Sequence, residues 1–216
     1  MVSKLQILNR IIAAGLVAVV RADSADSASR LADAILEGGC PAIEITFTVP
    51  GAHRVIEQLA ARYSPEVLVL GAGTVLDPET ARIAILSGAS YIVAPSLNES
   101  TIRLCNRYQI ASMPGAMTVK EVIEAMEAGA DIVKLFPGEA FGPPLVKALR
   151  APLPQAPLMP TGGVDLDNVV AWIKAGAVAV GVGGSLTRPA QAGDYAAVTR
   201  TARELIERIA AARATA

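Results

Sequence analysis

Lys134 lies in Asp131-Ile-Val-Lys-Leu-Phe136, an apolar run with the length and make-up of a buried β-strand. Taking an unpaired ammonium out of water is costly enough that a buried lysine tends to shed its proton, and the neutral amine left behind is a nucleophile. The simplest chemistry open to it is an imine with a carbonyl substrate. A second charge, Glu44, stands in a similar setting, Ala42-Ile-Glu-Ile-Thr-Phe47. Side chains alternate along a strand. If Val133 and Leu135 pack outward against helices, with Ile43, Ile45 and Phe47 doing the same, then Ile132, Lys134 and Phe136 share an interior with Ala42, Glu44 and Thr46. A buried ion pair that only satisfies itself is the alternative reading of this couple.

The elements that must hold the two charges repeat along the chain. Short apolar segments alternate with longer, alanine-rich amphipathic ones, the mark of successive βα units. Eight strands are expected, at Leu16 to Arg21, Ala42 to Phe47, Val67 to Gly71, Tyr91 to Ala94, Ile110 to Met113, Ile132 to Phe136, Leu158 to Pro160 and Val178 to Val182. Helices are expected at Ser24 to Glu37, Ala52 to Arg62, Pro78 to Leu86, Glu99 to Tyr108, Val119 to Glu127 and Asn168 to Lys174. Ser87-Gly88-Ala89, Ala128-Gly129-Ala130 and Ala175-Gly176-Ala177 each put a glycine where a helix needs a left-handed cap. Eight parallel strands in a chain of 216 residues indicate a compact (β/α)8 TIM barrel. Met1 to Ala14 reads as an additional N-terminal helix, and a last helix runs from Asp194 to about Ala212. No linker or shift of composition divides the chain, so one domain over 1–216 is expected; an open doubly wound sheet is the competing fold.

Polar residues gather where these strands end, the active face of such a barrel. Arg21 ends the first strand, Thr74 follows Gly71-Ala72-Gly73, Thr161 follows the seventh strand and Ser185 the eighth. Pro160-Thr-Gly-Gly-Val164 and Gly181-Val-Gly-Gly-Ser185 match the loops from which barrels often build a phosphate site, because glycine lets backbone N–H groups approach the oxygens. That pattern would serve phosphosugar isomerases, epimerases and flavin enzymes as well.

Composition narrows the partners. The net charge is −1 and 52% of residues are hydrophobic, which leaves no footprint for nucleic acid or a polybasic membrane surface and points to a small molecule. No apolar run reaches the roughly 18 residues of a membrane span. Ile11 to Val20, preceded by Lys4 and Arg10, loosely mimics a secretory signal, but the same run is needed as the first strand. Cys40 and Cys105 form no ligand spacing and read as buried free thiols. Cleaving a bond beside a carbonyl needs either a metal-held enolate or a lysine imine. The chain has one histidine, His53, placed at a helix start, so the lysine route is preferred and neither metal nor cofactor is expected.

Gly39-Cys-Pro-Ala-Ile-Glu-Ile-Thr-Phe-Thr-Val-Pro50, Gly71-Ala-Gly-Thr-Val75, Pro114-Gly115, Lys134-Leu-Phe-Pro-Gly-Glu139, Pro160-Thr-Gly-Gly-Val164 and Gly183-Gly-Ser185 together resemble the 2-keto-3-deoxy-6-phosphogluconate (KDPG) aldolases, including members that also act on 4-hydroxy-2-oxoglutarate (KHG). The resemblance runs in order through nearly the whole chain. It implies a cytoplasmic, homotrimeric class I aldolase giving pyruvate and glyceraldehyde 3-phosphate, with the 6-phosphogalactonate analogue as the competing substrate and a phosphosugar isomerase or epimerase as the competing enzyme. It implies Lys134 as the Schiff-base lysine and Glu44 as general acid and base. Thr74 and Thr161 are implied as substrate contacts, Pro95 and Phe136 as pocket walls, and Gly162, Gly163, Gly184 and Ser185 as phosphate ligands. One position departs from the family pattern: Thr48 stands where some members carry an arginine for the substrate carboxylate. Arg21 is the residue placed to take over that contact.

Overall fold

A computed structural model describes residues 2–214. The strands are β1 (Leu16–Val20), β2 (Ala42–Thr46), β3 (Val69–Gly73), β4 (Tyr91–Val93), β5 (Ala111–Met113), β6 (Gly115–Ala116), β7 (Val133–Leu135), β8 (Leu158–Pro160) and β9 (Val180–Val182). The helices are α1 (Lys4–Ala14), α2 (Ala25–Glu37), α3 (Ala52–Arg62), α4 (Pro78–Leu86), α5 (Glu99–Arg107), α6 (Val119–Glu127), α7 (Pro144–Arg150), α8 (Val169–Lys174), α9 (Gly184–Thr187) and α10 (Tyr195–Ala214). Every strand pairing is parallel. Six strands follow the order β5-β4-β3-β2-β1-β9 and three the order β6-β7-β8, with a parallel bridge from Thr161 to Gly181 between β8 and β9. The result is an α/β fold whose parallel sheet is curled.

Strand parity sorts the apolar residues into two layers. Ala42 and Ile132 face an inner cluster with Val17, Val69, Tyr91, Val93, Ala111, Met113, Met159 and Ala179, whereas Ile43, Ile45, Val133 and Leu135 join the outer cluster beneath the helices. Phe47 packs at the edge of that outer cluster. The two parities expected for β2 and β7 are the ones observed.

Local capping explains where the helices begin and end. Ser3 and Thr118 each close a capping box at α1 and α6, and Ser24, Asp77 and Asn98 accept from backbone N–H groups at α2, α4 and α5. Gly88, Gly129 and Gly176 take φ of 107°, 91° and 102° after α4, α6 and α8, as the repeated phrase predicted. The N-terminal helix starts at Lys4, and Met1 of its expected span lies outside the described residues. Cys40 and Cys105 are buried and free, and burial pushes both thiols up to about 12.

At four places the elements differ from, or add to, those expected. The third strand runs Val69–Gly73 rather than Val67 to Gly71: Val67 is 52% exposed in a turn closed by its N–H to Ser64, while Gly71, Ala72 and Gly73 stay in the ladder opposite Glu44, Ile45 and Thr46. The fifth strand ends at Met113 as expected, but a further short strand follows it. Pro114 has no N–H to give, yet its carbonyl accepts from Lys134 at 2.9 Å, and the chain resumes as β6 beside β7. The segment between β7 and β8 holds a helix, α7, started by Pro143-Pro144. Gly184 and Ser185 open the short helix α9 instead of forming an open loop.

Candidate active site

β2 and β7 bring Glu44 and Lys134 into the interior, with 1% and 3% of their surfaces exposed. Backbone register accounts for the placement. Glu44 lies between Val19 of β1 and Gly71 of β3, and Lys134 between Gly115 of β6 and Met159 of β8. Room for the carboxylate comes from β3, because a Cβ on Gly73 would sit 2.5 Å from Glu44 Oε1 and 2.8 Å from its Cδ. Gly71 in turn leaves space for the ring of Tyr91.

Neither charge is neutralised by a close partner. Both carboxylate oxygens of Glu44 are buried without a hydrogen bond, and among the described residues no ion pair joins Glu44 to Lys134. The Lys134 ammonium stands 5.1 Å from the centre of the Phe136 ring. Burial lowers the pKa of Lys134, with Glu44 pulling it back up and Arg21 adding to the fall. Burial raises that of Glu44, opposed by Lys134 and Arg21. A self-satisfied ion pair would show the opposite directions, a stabilised ammonium and a stabilised carboxylate. Burial instead dominates both, shifting the amine and the carboxyl group toward their neutral forms while the charge of each partly opposes the shift of the other.

A cavity of about 280 Å³ is lined by Arg21, Phe136, Thr161, Gly162, Gly163, Gly184 and Ser185, together with Asp165 and Arg188. Seven of the residues singled out from sequence therefore share one space. Gly162 and Gly163 adopt φ of 96° and 69°, a backbone that a β-carbon disfavours, and the Glu139 side chain lies against both. Thr161 Oγ1 is buried without a partner, close to Gly181. Ser185 donates its hydroxyl to the Val164 carbonyl at 2.6 Å, so its side chain ties two loops together.

Thr74 and Pro95 lie at the ends of β3 and β4, outside that lining. Thr74 has φ 56°, strained for a β-branched residue and a frequent sign of a functional site. Thr48 exchanges a 2.7 Å hydrogen bond with Thr46 and faces a neighbouring cavity that also reaches Arg21. Arg21 thus stands between the two spaces. Sequence reasoning missed Arg188, a basic residue in a polar stretch with no local signal, and missed Tyr91, whose buried hydroxyl has no partner. Among the described residues no three His, Cys, Asp or Glu side chains are grouped as metal ligands.

A curled parallel α/β sheet, with a buried amine and carboxyl group next to a glycine-lined cavity, is the build of a class I lyase acting on carbonyl substrates. The comparisons with known proteins make the assignment specific. The pattern of the "KDPG and KHG aldolase" family matches residues 7–201, and the chain belongs to that family of carbon–carbon lyases. It is 36% identical over 190 residues to the 2-dehydro-3-deoxy-6-phosphogalactonate aldolase of Escherichia coli, covering 88% of this chain and 90% of that one. It is 36% identical over 184 residues to the 2-dehydro-3-deoxy-phosphogluconate aldolase of Pseudomonas aeruginosa, covering 83% and 82%. Among solved structures, the KDPG aldolase of Legionella pneumophila, with pyruvate captured as a covalent carbinolamine, superposes with a TM-score of 0.82 at 25% identity over 93% of this chain and 98% of that one.

Proposed function

We propose that this aldolase cleaves 2-keto-3-deoxy-6-phosphogluconate to pyruvate and glyceraldehyde 3-phosphate, and 4-hydroxy-2-oxoglutarate to pyruvate and glyoxylate, through an imine on Lys134. The observation that carries the reading is a lysine 3% exposed, with lowered pKa, sharing an interior with the unpartnered carboxyl group of Glu44. Lys134 Nζ adds to the keto carbon C2 to give a carbinolamine; the Glu44 carboxyl group gives its proton to the departing hydroxyl, which leaves as water, and the iminium and a Glu44 carboxylate remain. Glu44 takes the C4 hydroxyl proton, the C3–C4 bond breaks, and its electron pair moves into the iminium to form an enamine. Protonation at C3 and hydrolysis release pyruvate and restore the amine. The captured carbinolamine in the Legionella structure supports the first step.

Arg21 is proposed to hold the carboxylate, in place of the arginine absent at Thr48. Thr74, Thr161, Pro95 and Phe136 would frame the substrate, and the N–H groups around Gly162, Gly163, Gly184 and Ser185 would receive its phosphate. The 6-phosphogalactonate analogue is the second reading, supported by the similarity to the Escherichia coli enzyme. Comparing kcat/KM for the three compounds on one preparation decides between them.

The test of the mechanism is borohydride reduction in the presence of pyruvate. The adduct is expected on the Lys134 peptide and is expected to vanish in Lys134→Met; an unmodified Lys134 peptide alongside an adduct elsewhere refutes the assignment.

The two sheets together are proposed to form one closed (β/α)8 barrel with α1 as the additional helix, a single domain over 1–216. Continuity of β5 into β6 and the Thr161–Gly181 bridge support closure. We further propose a homotrimer acting in the cytoplasm. Leu76, Ile83, Leu86, Met117, Val119 and Ile123 are exposed on and around α4 and α6 and offer the apolar surface that assembly would cover. Sedimentation equilibrium and cell fractionation test these two statements.

A further inference from the structure

We propose that Arg188 recognises the phosphate end of the substrate and so sets the preference for phosphorylated over unphosphorylated 2-keto acids, an inference that rests on the aldolase reading above. Arg188 opens the 3₁₀ turn Arg188–Ala192 directly after α9 and lines the cavity that Gly162, Gly163 and Gly184 share. Two arginines and one carboxylate face this space, and the carboxylate is occupied: Asp165 Oδ1 accepts the backbone N–H groups of Asp167 at 2.9 Å and Asn168 at 3.1 Å. The lining therefore carries excess positive charge, as a dianionic group requires.

Arg188 has no structural duty that would explain it. Its backbone N–H donates to the Gly184 carbonyl, but among the described residues its side chain has neither hydrogen bond nor ion pair, and it is exposed rather than packed. The turn is held without it, by Leu186 in the core and by Thr187, which donates its hydroxyl to the Gly183 carbonyl at 3.2 Å. A free guanidinium presents paired N–H donors matched to phosphate oxygens.

The two arginines divide the substrate between them. Arg21 extends β1, whose Val19 is in register with Glu44, and its charge reaches both Glu44 and Lys134. Arg188 acts on neither. A substrate held at C2 by the imine keeps its carboxylate, on C1, next to Lys134 and within the range of Arg21. Its phosphate, at the other end of the carbon chain, falls to Arg188 and the glycine loops.

The experiment compares wild type with Arg188→Gln on 2-keto-3-deoxy-6-phosphogluconate and on 4-hydroxy-2-oxoglutarate, with inorganic phosphate as a competitive inhibitor. For the phosphorylated substrate KM is expected to rise about 10- to 100-fold, the loss of one or two charge-assisted hydrogen bonds, with kcat changed less than about twofold. The inhibition constant of phosphate should rise with it, while both parameters for 4-hydroxy-2-oxoglutarate stay within about twofold. Arg188→Lys should restore part of the loss, which a role in folding would not predict. An unchanged KM for the phosphorylated substrate, or an equal loss on both substrates, overturns the assignment. Pyruvate trapping on the wild type separates the two levels. With trapping intact and the KM pattern absent, only the role of Arg188 falls; with trapping absent, the aldolase reading falls and takes this inference with it.

Discussion

At the scale of single residues, the proposed site rests on two groups whose ionisation is shifted by burial. Lys134 is lowered by desolvation and held up in part by Glu44; Glu44 is raised by desolvation and held down in part by Lys134 and Arg21. The neutral amine is therefore present at a lower pH than in a free lysine. The rate of pyruvate trapping should rise with pH and level off below the usual lysine range. Glu44→Gln removes the charge that keeps the Lys134 pKa from falling further, so the rise should move to still lower pH. Turnover should meanwhile drop by about 10² to 10⁴, the usual worth of a positioned acid–base group. Trapping measured across pH on both proteins checks the sign, and a rise that stays put or moves to higher pH would contradict the coupling. Lys134 and Glu44 were both readable from sequence because a charge in an apolar strand is conspicuous. Arg188 was not, because a charge in a polar turn looks like any solvated arginine until the turn is seen folded over the cavity.

At the scale of elements, β3 shows why some of the fold could be read locally and some could not. Alternating apolar runs and glycine caps announced the parallel strands and most helices, since those signals depend on each segment's own backbone. Gly71-Ala-Gly73 misled, because glycine locally signals a break. Its reason lies across the sheet, where Tyr91 and Glu44 occupy the space two β-carbons would fill. Gly73→Ala makes this testable. Its φ is not in the left-handed region, so the backbone tolerates alanine and stability should stay within about 1 kcal/mol. The new methyl group must displace the Glu44 carboxylate, however, and kcat should fall about 10²-fold, as for a misplacement of roughly 1 Å. A kcat within twofold of wild type would show that the carboxylate has room to spare. Thermal unfolding run on the same sample separates lost geometry from lost fold.

At the scale of the whole molecule, stability and chemistry occupy opposite ends of the curled sheet. Ile7 and Ile11 of α1 pack into the interior with Val17, Ala42 and Val69, residues at or near the starts of their strands. The helix is tied down at both ends. Lys4 pairs with Asp131 at 2.8 Å, and Arg213 of α10 donates to the carbonyls of Ala13 at 2.8 Å and Val178 at 2.7 Å. The cavity with its glycine loops lies beyond the other strand ends, and Glu44 and Lys134 fall between the two. Ile11 is fully buried, so Ile11→Ala leaves a hole in the floor and should cost about 2 to 5 kcal/mol in denaturant unfolding. Under folding conditions its kcat/KM should match wild type, because no reacting group touches that end. Combining it with Gly73→Ala should give additive changes in both stability and turnover, since the two sites share no partner. A loss of activity in Ile11→Ala while it is still folded, or a non-additive double variant, would mean that the floor transmits its packing to Glu44 and Lys134 through Tyr91, which belongs to the inner cluster and fills the space beside Gly71.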